Sequence, residues 1–198
     1  MFSRRTMIAL SASTLAASAL TAPAFADKKA TGKPILGDDG LYHQSWFLNS
    51  FLDLKDDLTE AKEKNKRLAV FWELKGCPYC VETHFKNFAR VDIAEFIHEN
   101  FEILQLNVLG SRMVTDVDGQ EMTEKALASK YGIRFTPTIQ FLSDDIEKIA
   151  SLKPRKREVT RIQGYIQPDH FLAMFQFVQS RSYEKMPFRK FIKSRESS

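Results

Sequence analysis

Apolar and polar positions fall into a few clear patterns along this chain. Leu68-Ala69-Val70-Phe71-Trp72 and Phe101-Glu102-Ile103-Leu104-Gln105-Leu106-Asn107-Val108 are short apolar runs, and each predicts a buried strand. Thr138-Ile139-Gln140-Phe141-Leu142, opening behind Pro137, predicts a third strand; Val159 to Gln163, closing at Gly164, predicts a fourth. Helical spacing of Phe47, Phe51, Leu54 and Leu58 predicts a helix over Ser45 to Asn65. Val81, Phe85 and Phe88 continue a helix beyond Cys80, Asp92 caps a short one over Ile93 to Glu99, and Thr123 opens another that ends at Tyr131. Asp118-Gly119, inside Val114 to Met122, is a hairpin signal. Pro168 to Ser180 carries Phe171, Leu172, Phe175 and Val178 on one side, as an amphipathic helix does. These elements predict an α/β chain: a central mixed sheet flanked by helices, with a helix before the first strand and a C-terminal helical extension.

The ends of the chain follow other rules. Arg4 and Arg5, the apolar stretch Met7 to Leu20 and Ala24-Phe25-Ala26 have the layout of a secretory signal peptide over residues 1–26, cleaved after Ala26. Ser3-Arg4-Arg5-Thr6 also resembles a twin-arginine export signal, so both export routes stay open. Residues 27–40 read as an exposed lead-in, 41–182 as one domain and 183–198 as a basic tail. Removing the leader leaves 172 residues, enough for a sizeable core. It lowers the formal net charge from +4 to +2, so charge says little about partners. The run Lys153-Pro154-Arg155-Lys156-Arg157 predicts an exposed turn, and an exported chain meets no nucleic acid. The sixteen phenylalanines read as packing.

The only cysteines stand in Gly76-Cys77-Pro78-Tyr79-Cys80, directly after the first strand. A strand running into Cys-x-x-Cys at a helix start is the sequence form of a thiol–disulfide site. The helix N-terminus offers free N–H groups and partial positive charge, both of which stabilise a thiolate. Pro78 suits the first helical turn. A purely structural disulfide is the weaker reading, because so short a loop contributes little stability. Cys77 is expected to be exposed and nucleophilic; Cys80, one turn in, buried and resolving. Lys75 is placed to favour the thiolate or to stand in solvent. Glu73 is the candidate base for Cys80, or else a strand-end acid facing solvent. His84 is placed to tune Cys80 or to add a metal ligand; His43, His98 and His170 read as surface residues.

Phe71-Trp72-Glu73, the Cys77–Cys80 motif, Leu106-Asn107-Val108, Tyr131-Gly132-Ile133-Arg134, Phe135-Thr136-Pro137-Thr138 and Gly164-Tyr165 resemble extracytoplasmic thioredoxin-like proteins, most closely the SoxW-type thioredoxins linked to sulfur oxidation. The resemblance spans roughly residues 41 to 192 and implies a thioredoxin fold. It implies a cis Thr136–Pro137 bond facing the disulfide, with the Thr136 backbone, Pro137, Pro78 and Tyr79 meeting an incoming polypeptide. It further implies a periplasmic reductant with no cofactor beyond its own disulfide and no metal. The implied donor is a membrane thiol transporter of the DsbD or CcdA kind. The implied substrate is a protein disulfide or persulfide, with a sulfur-carrier protein of thiosulfate oxidation as one candidate. Two rivals remain, a disulfide-forming oxidant and a copper or zinc metallochaperone or partner-binding module. The departures are Phe71 where cytoplasmic thioredoxins bury an aspartate, Lys75-Gly76 in place of the usual tryptophan, and Pro-Tyr between the cysteines.

Overall fold

A computed structural model describes residues 33–196; the expected signal peptide and the start of the lead-in lie outside the described residues. The described residues open with a short hairpin, β1 (Ile35–Leu36) and β2 (Tyr42–His43), turned at Asp38-Asp39-Gly40. Then come α1 (Leu54–Glu63), β3 (Arg67–Glu73), α2 (Pro78–Glu82), a π-helical continuation over Thr83–Phe88, α3 (Val91–Asn100) and β4 (Phe101–Asn107). A second hairpin follows, β5 (Met113–Thr115) and β6 (Glu121–Thr123), then α4 (Glu124–Lys130), β7 (Thr138–Leu142), α5 (Ile146–Ile149), β8 (Glu158–Gln163), α6 (Pro168–Gln179) and α7 (Phe188–Glu196). The main sheet has the order β4-β3-β7-β8, parallel between β3 and β4 and antiparallel elsewhere. This is the expected mixed sheet. Among the described residues, no helix is long and apolar enough to cross a membrane.

All seven residues of β3 are buried, because helices cover both faces of the sheet. Strand alternation sorts them. Ala69 and Phe71 join Phe88, Ile93, Ile97, Phe101, Phe171 and Phe175 on one face, while Leu68, Val70 and Trp72 join Leu54, Leu58, Leu104, Leu127 and Tyr131 on the other. Phenylalanine rings in the first cluster meet edge to face at 5.0–5.2 Å (Phe71–Phe88, Phe88–Phe171, Phe101–Phe175). Each such buried ring contributes about 2–3 kcal/mol. Phe188 and Phe191 of the tail pack on Phe177, so the tail helix extends this core. Phe51, Phe85 and Phe135 are exposed, against the expectation that the phenylalanines pack.

Three expectations change. The first helix begins at Leu54, not Ser45. Asp53 is its N-cap and accepts the N–H groups of Lys55 and Asp56. The stretch before it is held irregular by Ser50, whose Oγ receives the Leu52 N–H, and by Leu52 itself at φ 65°. Asp92 does not cap α3; it lies in the first turn and binds the Arg90 guanidinium through both carboxylate oxygens. Arg157, read as part of an exposed turn, is buried in an ionic cluster with Asp116, Asp118, Lys130 and Tyr131.

Asp57, in the first turn of α1, is buried and accepts the Ser50 hydroxyl at 2.7 Å. Burial pushes its carboxyl up to about 6. The folded state therefore binds this proton more tightly than the unfolded chain, and stability falls as pH rises from about 4 to about 6. Asp57→Asn is expected to raise stability at pH 7.5 by about 2 kcal/mol, after allowance for water reaching the carboxyl. The gain should vanish near pH 3.5. Thermal melts of both proteins across that range check it; a gain that does not change with pH would contradict the assignment.

Candidate active site

Leu74-Lys75-Gly76 carry the chain from β3 to Cys77. The turn places Gly76 at φ 77°, in the left-handed region that side chains resist, which accounts for glycine immediately before the first cysteine. Cys77 caps α2: its Sγ accepts the Cys80 N–H at 3.2 Å, and Pro78 occupies the first turn. The two cysteines are joined as a disulfide. Cys77 is less open than expected, 9% exposed against 3% for Cys80. Its Sγ lies 3.6 Å from the Thr136 carbonyl oxygen, so the facing loop covers it. Pro78 and Tyr79 are the exposed members of the motif, and the Tyr79 ring stacks on Tyr165 at 6.5 Å.

The facing loop has the expected cis Thr136–Pro137 bond. The Thr138 hydroxyl donates to the Phe135 carbonyl at 2.7 Å, and the Gly164 N–H donates to the Pro137 carbonyl at 2.8 Å. Three segments distant in sequence thus meet at the disulfide: the end of β3, the start of β7 and the end of β8.

Glu73 does not face solvent. It is 1% exposed and sits one strand repeat beyond Phe71, on the face covered by the helix that starts at Cys77. There its Oε1 lies 3.0 Å from Nε2 of His84, which is fully buried, and its Oε2 receives the Gln105 amide. Gln105 also donates to the Tyr42 carbonyl at 2.7 Å. The Gln44 amide nitrogen donates to the His84 carbonyl at 3.2 Å and lies 3.4 Å from His84 Nδ1. A donor facing Nδ1 and an acceptor facing Nε2 place the His84 proton on Nε2. The π-helical turn, one residue wider than an α turn, contains His84.

Of the residues expected at the site, Cys77 lies against Thr136 of the cis-proline loop, Cys80 and Pro137 are buried, Pro78 and Tyr79 are exposed, and Glu73 is buried behind the cysteines. Glu73 and both cysteines line a cleft of about 460 Å³ whose other wall is the hairpin from Leu36 to Tyr42. Lys75 packs across the turn of that hairpin: a Cβ at Gly40 would stand 2.7 Å from its side chain. Sequence reasoning missed Gln44, Gln105 and Tyr42. Among the described residues no group of three His, Cys, Asp or Glu is placed to hold a metal, and His84, the third ligand that such a site needs, is turned to Glu73.

The family model of the Thioredoxin-like domain matches residues 54–179. Similar solved structures include a thioredoxin-fold protein from Helicobacter pylori, 19% identical with a TM-score of 0.53 over 67% of this chain and 86% of that one. A thioredoxin from Thermus thermophilus is also 19% identical, with a TM-score of 0.47 over 64% of this chain and 83% of that one. A DsbH oxidoreductase is 10% identical, with a TM-score of 0.41 over 76% of this chain and 96% of that one. A search of curated proteins finds no match. With its mixed sheet, its Cys77–Cys80 disulfide at a helix start and its cis-proline loop, the chain belongs to the Thioredoxin-like domain family.

Proposed function

We propose that this chain is a periplasmic thiol–disulfide oxidoreductase of the SoxW type, exported by its signal peptide and working as a reductant. The observation that carries the reading is the Cys77–Cys80 pair at a helix start, held against the cis-proline loop. In the dithiol form the Cys77 thiolate attacks a substrate disulfide. The substrate S–S bond breaks, and its first sulfur leaves and takes up a proton. Cys80 gives its proton to Glu73 and attacks the Cys77 sulfur. The second substrate sulfur leaves as a thiol, and the chain is left as the disulfide. Two electrons have passed to the substrate. A membrane dithiol carrier of the DsbD or CcdA kind restores them, and the substrate is a disulfide or persulfide on a protein, such as a sulfur carrier.

Equilibrating the pair in a dithiothreitol or glutathione series tests the direction. A potential near about −270 mV fits a reductant, and one near about −120 mV would make the chain a disulfide-forming oxidant instead. Glu73→Gln keeps the shape of the buried network and removes its base. Release of the mixed disulfide at pH 7 is expected to slow about a hundredfold. Stopped-flow resolution of a preformed mixed disulfide reads this, and an unchanged rate removes Glu73 from the mechanism.

A further inference from the structure

The strand order β4-β3-β7 puts the cis-proline loop on one side of the turn that follows β3. The other side is occupied by the β1–β2 hairpin, tied to β4 through the bond from Gln105 to the Tyr42 carbonyl. The cleft between this hairpin and the active-site turn is lined by Cys77 and Cys80 and shares no residue with the cis-proline loop. Leu36, Leu41, Leu74 and Val81 make its walls apolar. Leu36 is 58% exposed, so its side chain stands at the open rim of the cleft, where an incoming chain can reach it. The charged side chains on the cleft are Asp38, Lys75 and Glu73. The first two offset each other, and the third disfavours an incoming carboxylate.

The geometry points to this cleft as a side-chain subsite that selects protein substrates carrying a large apolar residue beside the reacting cysteine. The inference rests on the thiol–disulfide reading above and adds a specificity element to it. A polypeptide crossing Cys77 has the Thr136 backbone on one flank and the cleft on the other. The volume has room for a large side chain together with the backbone on either side of it. A small acidic thiol would gain neither apolar contact nor net charge attraction there.

The test uses two peptide disulfides, each a symmetric dimer of a short peptide joined through its cysteine, with leucine or with glycine on both sides. The reduced protein is expected to act on the leucine form with kcat/KM about tenfold above the glycine form. Leu36→Asp should bring the two within about twofold of each other, since Leu36 is exposed and its loss leaves the core intact. Ile35→Asp, on the same strand but outside the cleft, should keep the tenfold preference. No preference in the unaltered protein, or a preference that survives Leu36→Asp, overturns the subsite. If neither peptide is reduced, the redox reading fails, and the subsite is judged by binding alone. Amide shifts at Leu36, Leu41 and Val81 on adding the serine analogue of the leucine peptide, but not of the glycine peptide, would uphold it; no such shifts would overturn it.

Discussion

Cys77→Ser is expected to abolish disulfide reduction, lowering turnover by about 10,000-fold or more, because removing the attacking atom removes the covalent path. Cys80→Ala should behave differently. Cys77 would still attack, but the mixed disulfide would have no internal sulfur to resolve it. A covalent adduct with a disulfide substrate should therefore accumulate, visible as a mass increase that dithiothreitol removes. The pair of results assigns the roles. Exposure alone does not, since both sulfurs are largely covered. What distinguishes them is position: Cys77 caps the helix and receives the Cys80 N–H, whereas Cys80 lies within it. Turnover retained by Cys77→Ser, or adduct formed by that variant and not by Cys80→Ala, would reverse the assignment.

The second large effect concerns stability. All five N–H groups of Arg157 have acceptors: Asp116 at 2.8 Å, Asp118 at 2.8 Å, Tyr131 at 3.5 Å, Leu152 at 2.9 Å and Ala150 at 3.1 Å. Asp116 is fully buried, and its carboxylate meets Arg157, Tyr131 and Lys130, the last at 2.6 Å. Arg157→Met would leave two carboxylates to one lysine and is expected to cost about 3 kcal/mol, a fall in Tm of about 10 °C for a chain of this size. Adding Asp116→Asn should recover part of that loss, because the uncompensated charge then disappears. Burial raises the Asp118 carboxyl, but the hydrogen bonds from Lys130 and Arg157 outweigh it and hold it down at about 2. The stability that this group adds is therefore present above about pH 4 and fades as pH falls towards 2. A Tm change of less than 3 °C in Arg157→Met would show that the cluster sets geometry without adding stability.

The sheet and the disulfide site were legible in the sequence because local signals carry them. Strands β3, β4 and β7 are apolar runs long enough to be buried on both faces, and Cys-x-x-Cys after a strand has few other meanings. The first helix misled because Phe47 and Phe51 fall at helical spacing without lying in a helix. Phe47 packs on the core from an irregular segment, and Phe51 points into solvent. The signal that outweighs the spacing is Asp53, whose capping bonds fix where the helix starts. The buried partners of Glu73 were not legible. Gln105 is 32 residues away and reaches Glu73 only through parallel register with β3, and Gln44 and His84 are 40 residues apart. Arg157 was hidden by its neighbours, since in a run of basic residues nothing local marks which one turns inward.

The hairpin and the segment behind it give the family boundary a particular meaning. The shared domain begins at Leu54, yet Trp46 packs on Phe88 and His98, the Leu48 N–H bonds the Ile103 carbonyl, and Gln44 anchors His84. At the other end, Phe188 and Phe191 cover Phe177. The region matched by the family model is therefore smaller than the set of residues that pack together in this chain. A gene fragment trimmed to residues 54–179 would encode the common framework without the hairpin wall of the cleft beside Cys77 and without the cover over Phe177.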